Sequence, residues 1–290
     1  MVNNMSIKLI IDSACDISKK EADELGVYFV PMEIQFGEDF FYDGVNITPH
    51  EFYEKLLSCK ELPKTSQITP YRFEQVYKEV VNNGDDAIVI TISSKLSGTY
   101  LNAVKASQDK DIFNGHIYVI DSLNACMGQR LLILYALDLI KQNKPIAEIV
   151  SILNEVKHKI KVIAVLDTLK YLKMGGRISS FVAFSGTVLS IKPLIEVIDG
   201  EVKVVGKAHG FKNGKAMINK IAEKEGKIDF TMPYCAVYSG FDDGITKTYL
   251  TEPDHPFGDK VNTVPIYPIG STIGTHIGPG VVGISYFVKE

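Results

Sequence analysis

Three short apolar runs in the first 122 residues end alike, and this repetition constrains the fold more than any other feature of the chain. Lys8-Leu9-Ile10-Ile11 ends in Asp12-Ser13, Ala87 to Ile92 in Ser93-Ser94, and Ile117-Tyr118-Val119-Ile120 in Asp121-Ser122. Short runs that are apolar at successive positions read as strands buried on both faces. Helical patterns separate them, so the expected arrangement is a set of parallel βαβ units. Right-handed crossovers then bring the three strand ends to one edge of the sheet. Three distant sequence positions become one polar rim, on the side where open α/β sheets hold ligands.

The intervening helices carry their own start signals. A first helix is expected within Ile17 to Leu25. Thr48-Pro49-His50-Glu51 supplies an N-cap, a proline at the first helical position and a glutamate at the third, which is a capping box. Thr69-Pro70 opens another helix, with Phe73, Val76, Tyr77, Val80 and Val81 at helical spacing. Helices from Ala125 to Lys141 and from Ile146 to Lys157 complete the first half.

The second half reads differently. A strand is expected at Val162 to Leu166, and Asp199-Gly200 between alternating apolar positions is a hairpin signal, so antiparallel pairing enters here. A helix over Lys215 to Glu225 and strands near Tyr234–Tyr238, Val261–Ile266 and Gly283–Val288 follow. At 290 residues, and roughly 150 residues per domain, two domains are expected. The first, 1–160, is α/β with a mainly parallel sheet flanked by helices; the second, 161–290, is α/β with a mixed sheet.

A net charge of −4 gives no footprint for nucleic acid, and none is expected as a partner. Cysteines at 15, 59, 126 and 235 have neither zinc-site nor disulfide-framework spacing, which places the chain in the cytoplasm with reduced thiols. Gly210-Phe211-Lys212-Asn213-Gly214-Lys215-Ala216 is one residue short of a P-loop between its glycines and has Ala where a magnesium-binding hydroxyl belongs. His50-Glu51 lacks the second histidine of a zinc-protease helix, and Ser97 lacks the preceding glycine of a nucleophile elbow. No cofactor or metal site is expected.

Four polar stretches remain. Thr65-Ser66-Gln67 lies between two helices. Ser93-Ser94-Lys95-Leu96-Ser97-Gly98-Thr99-Tyr100 places hydroxyls where strand becomes helix, where side chains and free N–H groups can hold an anion; helix capping alone is the simpler account of Ser97. Leu169 to Ser179 contains Gly175-Gly176, which can end a helix and leave Arg177 projecting. Ile269-Gly270-Ser271-Thr272-Ile273-Gly274-Thr275-His276-Ile277-Gly278-Pro279-Gly280 has the glycine density of backbone in close approach to another surface. Its His276, with no helical or strand periodicity, reads as a turn residue.

Together and in this order, with Ile10-Ile11-Asp12-Ser13, these stretches resemble the signatures of the DegV family over essentially the whole chain. The family comprises fatty-acid-binding subunits of the bacterial fatty acid kinase. The resemblance implies a non-catalytic protein that holds one long-chain fatty acid between and within two α/β domains. It implies that Thr65 and Ser97 bind the acyl carboxylate with His276 beside it, that Ser66 and Gly98 are neighbours of that site, and that Arg177 serves the head group and presentation to the kinase. The implied partners are the kinase's catalytic subunit, an acyltransferase that takes the acyl phosphate, and a transient membrane surface. One departure stands out. Family members often carry an Arg/Lys-rich stretch after the hairpin, whereas Val205 to Phe211 here has one Lys and no Arg.

The physics suits a lipid carrier. Burying ~14 methylenes at ~0.8 kcal/mol each gives roughly 11 kcal/mol, against about 0.5–1.5 for a neutral hydrogen bond. The tail sets affinity and the hydroxyls set orientation. Phe181, Val182, Phe184, Val188 and Leu189 are expected to contribute to the acyl tunnel, although core packing explains them equally well. A reading from another class is a hydrolase of acyl esters with Ser97 as nucleophile, His276 as base and Asp12 or Asp121 as orienter.

Overall fold

The computed structural model describes residues 6–109, 113, 115–178, 190–253 and 255–289. Phe181, Val182, Phe184, Val188 and Leu189 lie outside the described residues.

The first sheet is the parallel one expected. Strands β1 (Ile7–Asp12), β2 (Tyr28–Val30), β6 (Asp86–Thr91) and β7 (Ile117–Asp121) lie in the order β2-β1-β6-β7 with every pairing parallel. The strand ends do gather at one edge, but the acids there tie backbone rather than face a ligand. Asp12 accepts from the N–H of Ile92 at 2.7 Å, from Ala14 N–H and from the Gln129 amide. Asp121 accepts from the N–H groups of Ser94 and Leu123. Each carboxylate fastens the loop after its own strand to the loop of the neighbour.

Among the described residues, the helices of this half are α1 (Lys19–Leu25), α2 (Pro49–Ser58), α3 (Pro70–Asn82), α4 (Thr99–Ala106), α5 (Cys126–Lys141) and α6 (Ile146–Val156). The capping box of α2 is complete: Glu51 N–H donates to Thr48 Oγ1 at 3.3 Å, and the Glu51 carboxylate accepts from Thr48 N–H at 2.8 Å. A small antiparallel sheet, β4 (Asp39–Tyr42), β3 (Glu33–Phe36) and β5 (Lys64–Ser66) in the order β4-β3-β5, replaces the plain loop expected around Thr65. Its strands are three or four residues long, too short to show an alternation.

The second sheet runs β10-β9-β8-β13-β11-β12, from β8 (Ile160–Val165), β9 (Ile191–Ile198), β10 (Glu201–His209), β11 (Tyr234–Tyr238), β12 (Ile266–Pro268) and β13 (Val282–Phe287). Only β11 and β12 pair in parallel. The turn between β9 and β10 has Asp199 and Gly200 both at positive φ, 52° and 82°, as a two-residue hairpin of primed type requires. Two expectations need correction. Val261 to Ile266 is not a strand: a 3-10 turn occupies Gly258–Thr263 and β12 starts at Ile266. The helix expected from Lys215 starts five residues earlier, as α8 (Gly210–Glu225), following α7 (Lys170–Gly175). Helices α9 (Gly244–Leu250) and α10 (Ser271–Ile277) complete the set.

The two faces of the second sheet have different tasks. Ile163, Val165, Leu194, Ala236 and Ile284 pack with Ile218 and Ala222 of α8 and Tyr249 of α9. Ala164, Ile195, Val202 and Val237 point the other way, into a core shared with Leu9, Ile11, Ile88 and Ile90 of the first sheet and Leu131 and Leu132 of α5. Among the described residues no helix is long and apolar enough to cross a membrane.

Candidate functional site

A cavity of about 320 Å³ opens between the two sheets, within the ~300–1,000 Å³ typical of small-molecule sites. Its apolar wall is built largely from the inward face of the second sheet, with Val162 and Ala164 of β8, Ile195 and Val197 of β9, Val202 of β10 and Gly283 of β13, and is extended by Ile92, Leu96 and Leu172 and by Ile273 and Ile277 of α10. These are the side chains that sequence reasoning missed. The signal was present in the hairpin, whose odd-numbered positions 195 and 197 face the cavity, whereas Leu194 belongs to the core on the opposite face.

Ala164 and Gly283 are direct partners across β8 and β13. Two small residues side by side hollow the sheet face where larger ones would fill it. A Cβ on Gly283 would stand 2.8 Å from the Ile163 carbonyl oxygen and 2.9 Å from Ala164 Cβ. Glycine is therefore a steric requirement there.

The polar part of the lining brings together Thr65, Ser66, Gln67, Ser97, Gly98, Arg177 and His276, with Thr272 from α10. Thr65 Oγ1 and His276 Nε2 are hydrogen-bonded at 2.9 Å. Ser97 Oγ lies 2.9 Å from Thr99 Oγ1 and accepts from Thr99 N–H at 3.3 Å, so it helps start α4 while it lines the cavity. Ser97 is not the helix cap of the simpler account: the N-cap of α4 is Gly98, with no side-chain cap bond. Gly98 makes room for Gln67, whose Oε1 would lie 1.9 Å from a Cβ at that position.

His276 is not a turn residue: it sits near the end of α10. The glycines of its stretch act as the close approaches expected of them. Gly274 leaves no space for a Cβ beside Phe52 and Tyr53, and Gly278, at φ 72°, lies against the ring of Tyr171. From α7, Gly175 abuts His276 Nδ1, and Gly176 ends the helix in the left-handed conformation. Arg177 follows, with Nε donating to the Leu96 carbonyl and Nη1 to the Gly175 carbonyl.

Burial holds the His276 imidazole down to about 4, and the nearby Arg177 charge adds to the effect. At neutral pH the ring is therefore uncharged, with one donor and one acceptor nitrogen. Nδ1 is buried without a hydrogen-bond partner among the described residues. With the proton on Nε2, the ring donates to Thr65 and frees the threonine hydroxyl proton for a carboxylate. The permanent positive charge at the site belongs to Arg177.

A hydrolytic triad is not assembled. Ser97 pairs with Thr99 and His276 with Thr65, while Asp12 and Asp121 are engaged by backbone N–H groups. Outside the Thr65–His276 pair, a second groove of about 840 Å³ reaches the same two residues and Arg177 from the surface, past Lys60, Lys64 and Lys170. The departing stretch 205–211 lies elsewhere, over the last residues of the edge strand β10 and the start of α8.

Comparison with known proteins identifies the family. The family model described as "Uncharacterised protein, DegV family" matches residues 6–289. A DegV domain-containing protein of Clostridium perfringens is 34% identical over 288 residues, covering 98% of this chain and 99% of the relative. The structure of a fatty-acid-binding DegV family protein from Thermus thermophilus superposes with a TM-score of 0.85 at 28% identity, covering 98% of this chain and all of the other. A stearic acid-binding protein from Eubacterium ventriosum also gives 0.85, at 27% identity and 98% coverage of both chains. With the model match spanning nearly the whole sequence, this chain belongs to the DegV family.

Proposed function

We propose that this protein binds one long-chain fatty acid, with the tail in the inter-sheet cavity and the carboxylate at Thr65, Ser97 and His276, flanked by Ser66, Gly98 and Arg177. The observation that carries the reading is an apolar cavity whose polar lining is concentrated around one hydrogen-bonded Thr–His pair. The fatty acid and stearic acid named for the two structural relatives fit that lining. In this reading residues 1–160 supply most of the head-group loops and 161–290 most of the tail wall.

The protein itself is a carrier without catalysis of its own. It takes the fatty acid from a membrane surface and presents the carboxylate to an ATP-dependent fatty acid kinase, and an acyltransferase consumes the acyl phosphate. The lysine-lined groove that reaches Thr65 and His276 from outside supports access by such a partner. Organic extraction of the purified protein followed by mass spectrometry tests the binding. A fatty acid at about one per chain is expected; its absence, with no uptake after delipidation, overturns the reading. Kinase-dependent acyl-phosphate formation on the loaded protein tests the second step, and full turnover by a Thr65→Ala, Ser97→Ala double variant overturns the site assignment.

A further inference from the structure

We infer that Asp43 is the positioning residue of the head-group site, holding His276 in register with Thr65 through the start of α10. The inference rests on the fatty-acid reading above. Helix α10 is seven residues long, has Gly270 at its N-cap with no side-chain cap bond, and carries Gly274 and three β-branched residues among its first five. Helices this short are marginal in water, and this composition favours them little. The helix must be held from elsewhere.

Asp43 supplies two of the polar ties that hold it. Its Oδ1 accepts from Ser271 N–H at 3.1 Å and its Oδ2 from Thr272 N–H at 3.2 Å, across 228 and 229 residues of sequence. It thus supplies the side-chain cap bonds that Gly270 at the N-cap cannot make. Neighbouring ties fix the approach to the helix: Asp16 accepts from Gly270 N–H at 2.9 Å, and Tyr53 Oη donates to the Ile269 carbonyl at 3.2 Å.

The other side of Asp43 leads to Thr65. Asp43 N–H donates to the Met32 carbonyl at 3.0 Å, immediately before β3. Strand β3 in turn pairs with β5, Ile34 opposite Thr65. One residue is therefore bonded through its backbone to the sheet that carries Thr65 and through its carboxylate to the helix that carries His276. Asp43 is itself buried, so solvent has little part in either tie. A carboxylate with both oxygens engaged by N–H groups of one helix end fixes its direction as well as its distance. Loss of that hold moves His276 relative to Thr65, and Ile273 and Ile277 of α10 with it, while the larger part of the apolar wall, built on β8, β9, β10 and β13, stays where it is.

The test separates head group from tail. Delipidated full-length protein is titrated calorimetrically with hexadecanoic acid and with 1-hexadecanol, which shares the tail and lacks the carboxylate. Asp43→Asn is expected to weaken acid binding about tenfold and to leave alcohol binding within about twofold. Tyr53→Phe, which removes one hydroxyl from the same anchorage, is expected to weaken acid binding about threefold with the same selectivity. Equal losses for both ligands, or no loss of acid binding, overturn the inference. If Asp43→Asn does not fold, Tyr53→Phe decides, and absence of an acid-selective loss there overturns it. Failure of the parent protein to bind either ligand overturns the fatty-acid reading and this inference with it.

Discussion

Thr65 Oγ1 and His276 Nε2 meet at 2.9 Å although 211 residues separate them. One belongs to a three-residue edge strand and the other to the last turn of a seven-residue helix. Replacing Thr65 by Val keeps the shape and removes the hydroxyl. Fatty acid affinity is expected to fall by about 0.5–1.5 kcal/mol for the lost hydrogen bond, with the fatty alcohol affected less. Isothermal titration with both ligands checks this, and unchanged acid affinity rules out a head-group contact at Thr65.

The partly buried ring of His276 makes a pH prediction with a definite sign. Its folded value of about 4 lies below the ordinary 6.5, so between these values the unfolded chain binds the extra proton. The stability contributed by the neutral ring is fully present above about pH 6.5 and is lost as pH falls toward 4, in total about 3 kcal/mol. Chemical denaturation of the parent and of His276→Gln at several pH values should show the parent losing ground over that window. The imidazole Cε1–Hε1 resonance should keep its neutral position at pH 5.5, and a midpoint at 6.5 or above contradicts the assignment.

In the proposed binding mode Ala164 limits the space for the tail. Ala164→Phe places a large side chain on the cavity face opposite Gly283. Lipid extracted from this variant is expected to shift to shorter chains, or to be absent, with little loss of fold because the added ring enters a cavity rather than packed core. An unchanged lipid profile moves the tail away from β8.

Asp16 carries the opposite linkage to His276. Burial pushes its carboxyl up to about 8 from the ordinary 3.8, so the folded chain keeps a proton that the unfolded chain has released. The stability associated with that proton is present at low pH and is lost as pH rises through 8. Asp16→Asn cannot titrate, and its amide oxygen can still accept from Gly270 N–H. Relative to the parent it is expected to gain about 4 kcal/mol between pH 5 and pH 9. A stability difference that does not change with pH refutes the raised value.

Elements stabilised by neighbours in sequence were legible, and those stabilised from a distance were not. The apolar runs of β1, β6 and β7, the Thr48–Glu51 capping box and the Asp199-Gly200 turn each carry their cause within a few residues. Helix α10 does not: its sequence is poor in helix formers, and its cap comes from Asp43. The small sheet β4-β3-β5 escaped for a related reason, since strands of three and four residues have no measurable period. Within the candidate site the hydroxyls, His276 and Arg177 could be grouped by resemblance. Asp43 could not be found, because nothing near it in sequence reveals a partner 228 residues away. The strand-end acids misled in the other direction, since Asp12 and Asp121 are consumed by backbone N–H groups.

The placement of β13 between β8 and β11 has a consequence for synthesis on the ribosome. A nascent chain that has emerged only as far as Val281 exposes two unpaired strand edges where β13 will insert, a state open to wrong pairing. It also lacks Gly283, so the hollow beside Ala164 has no second half. The cavity is thus completed late in translation, by the same strand that closes the sheet.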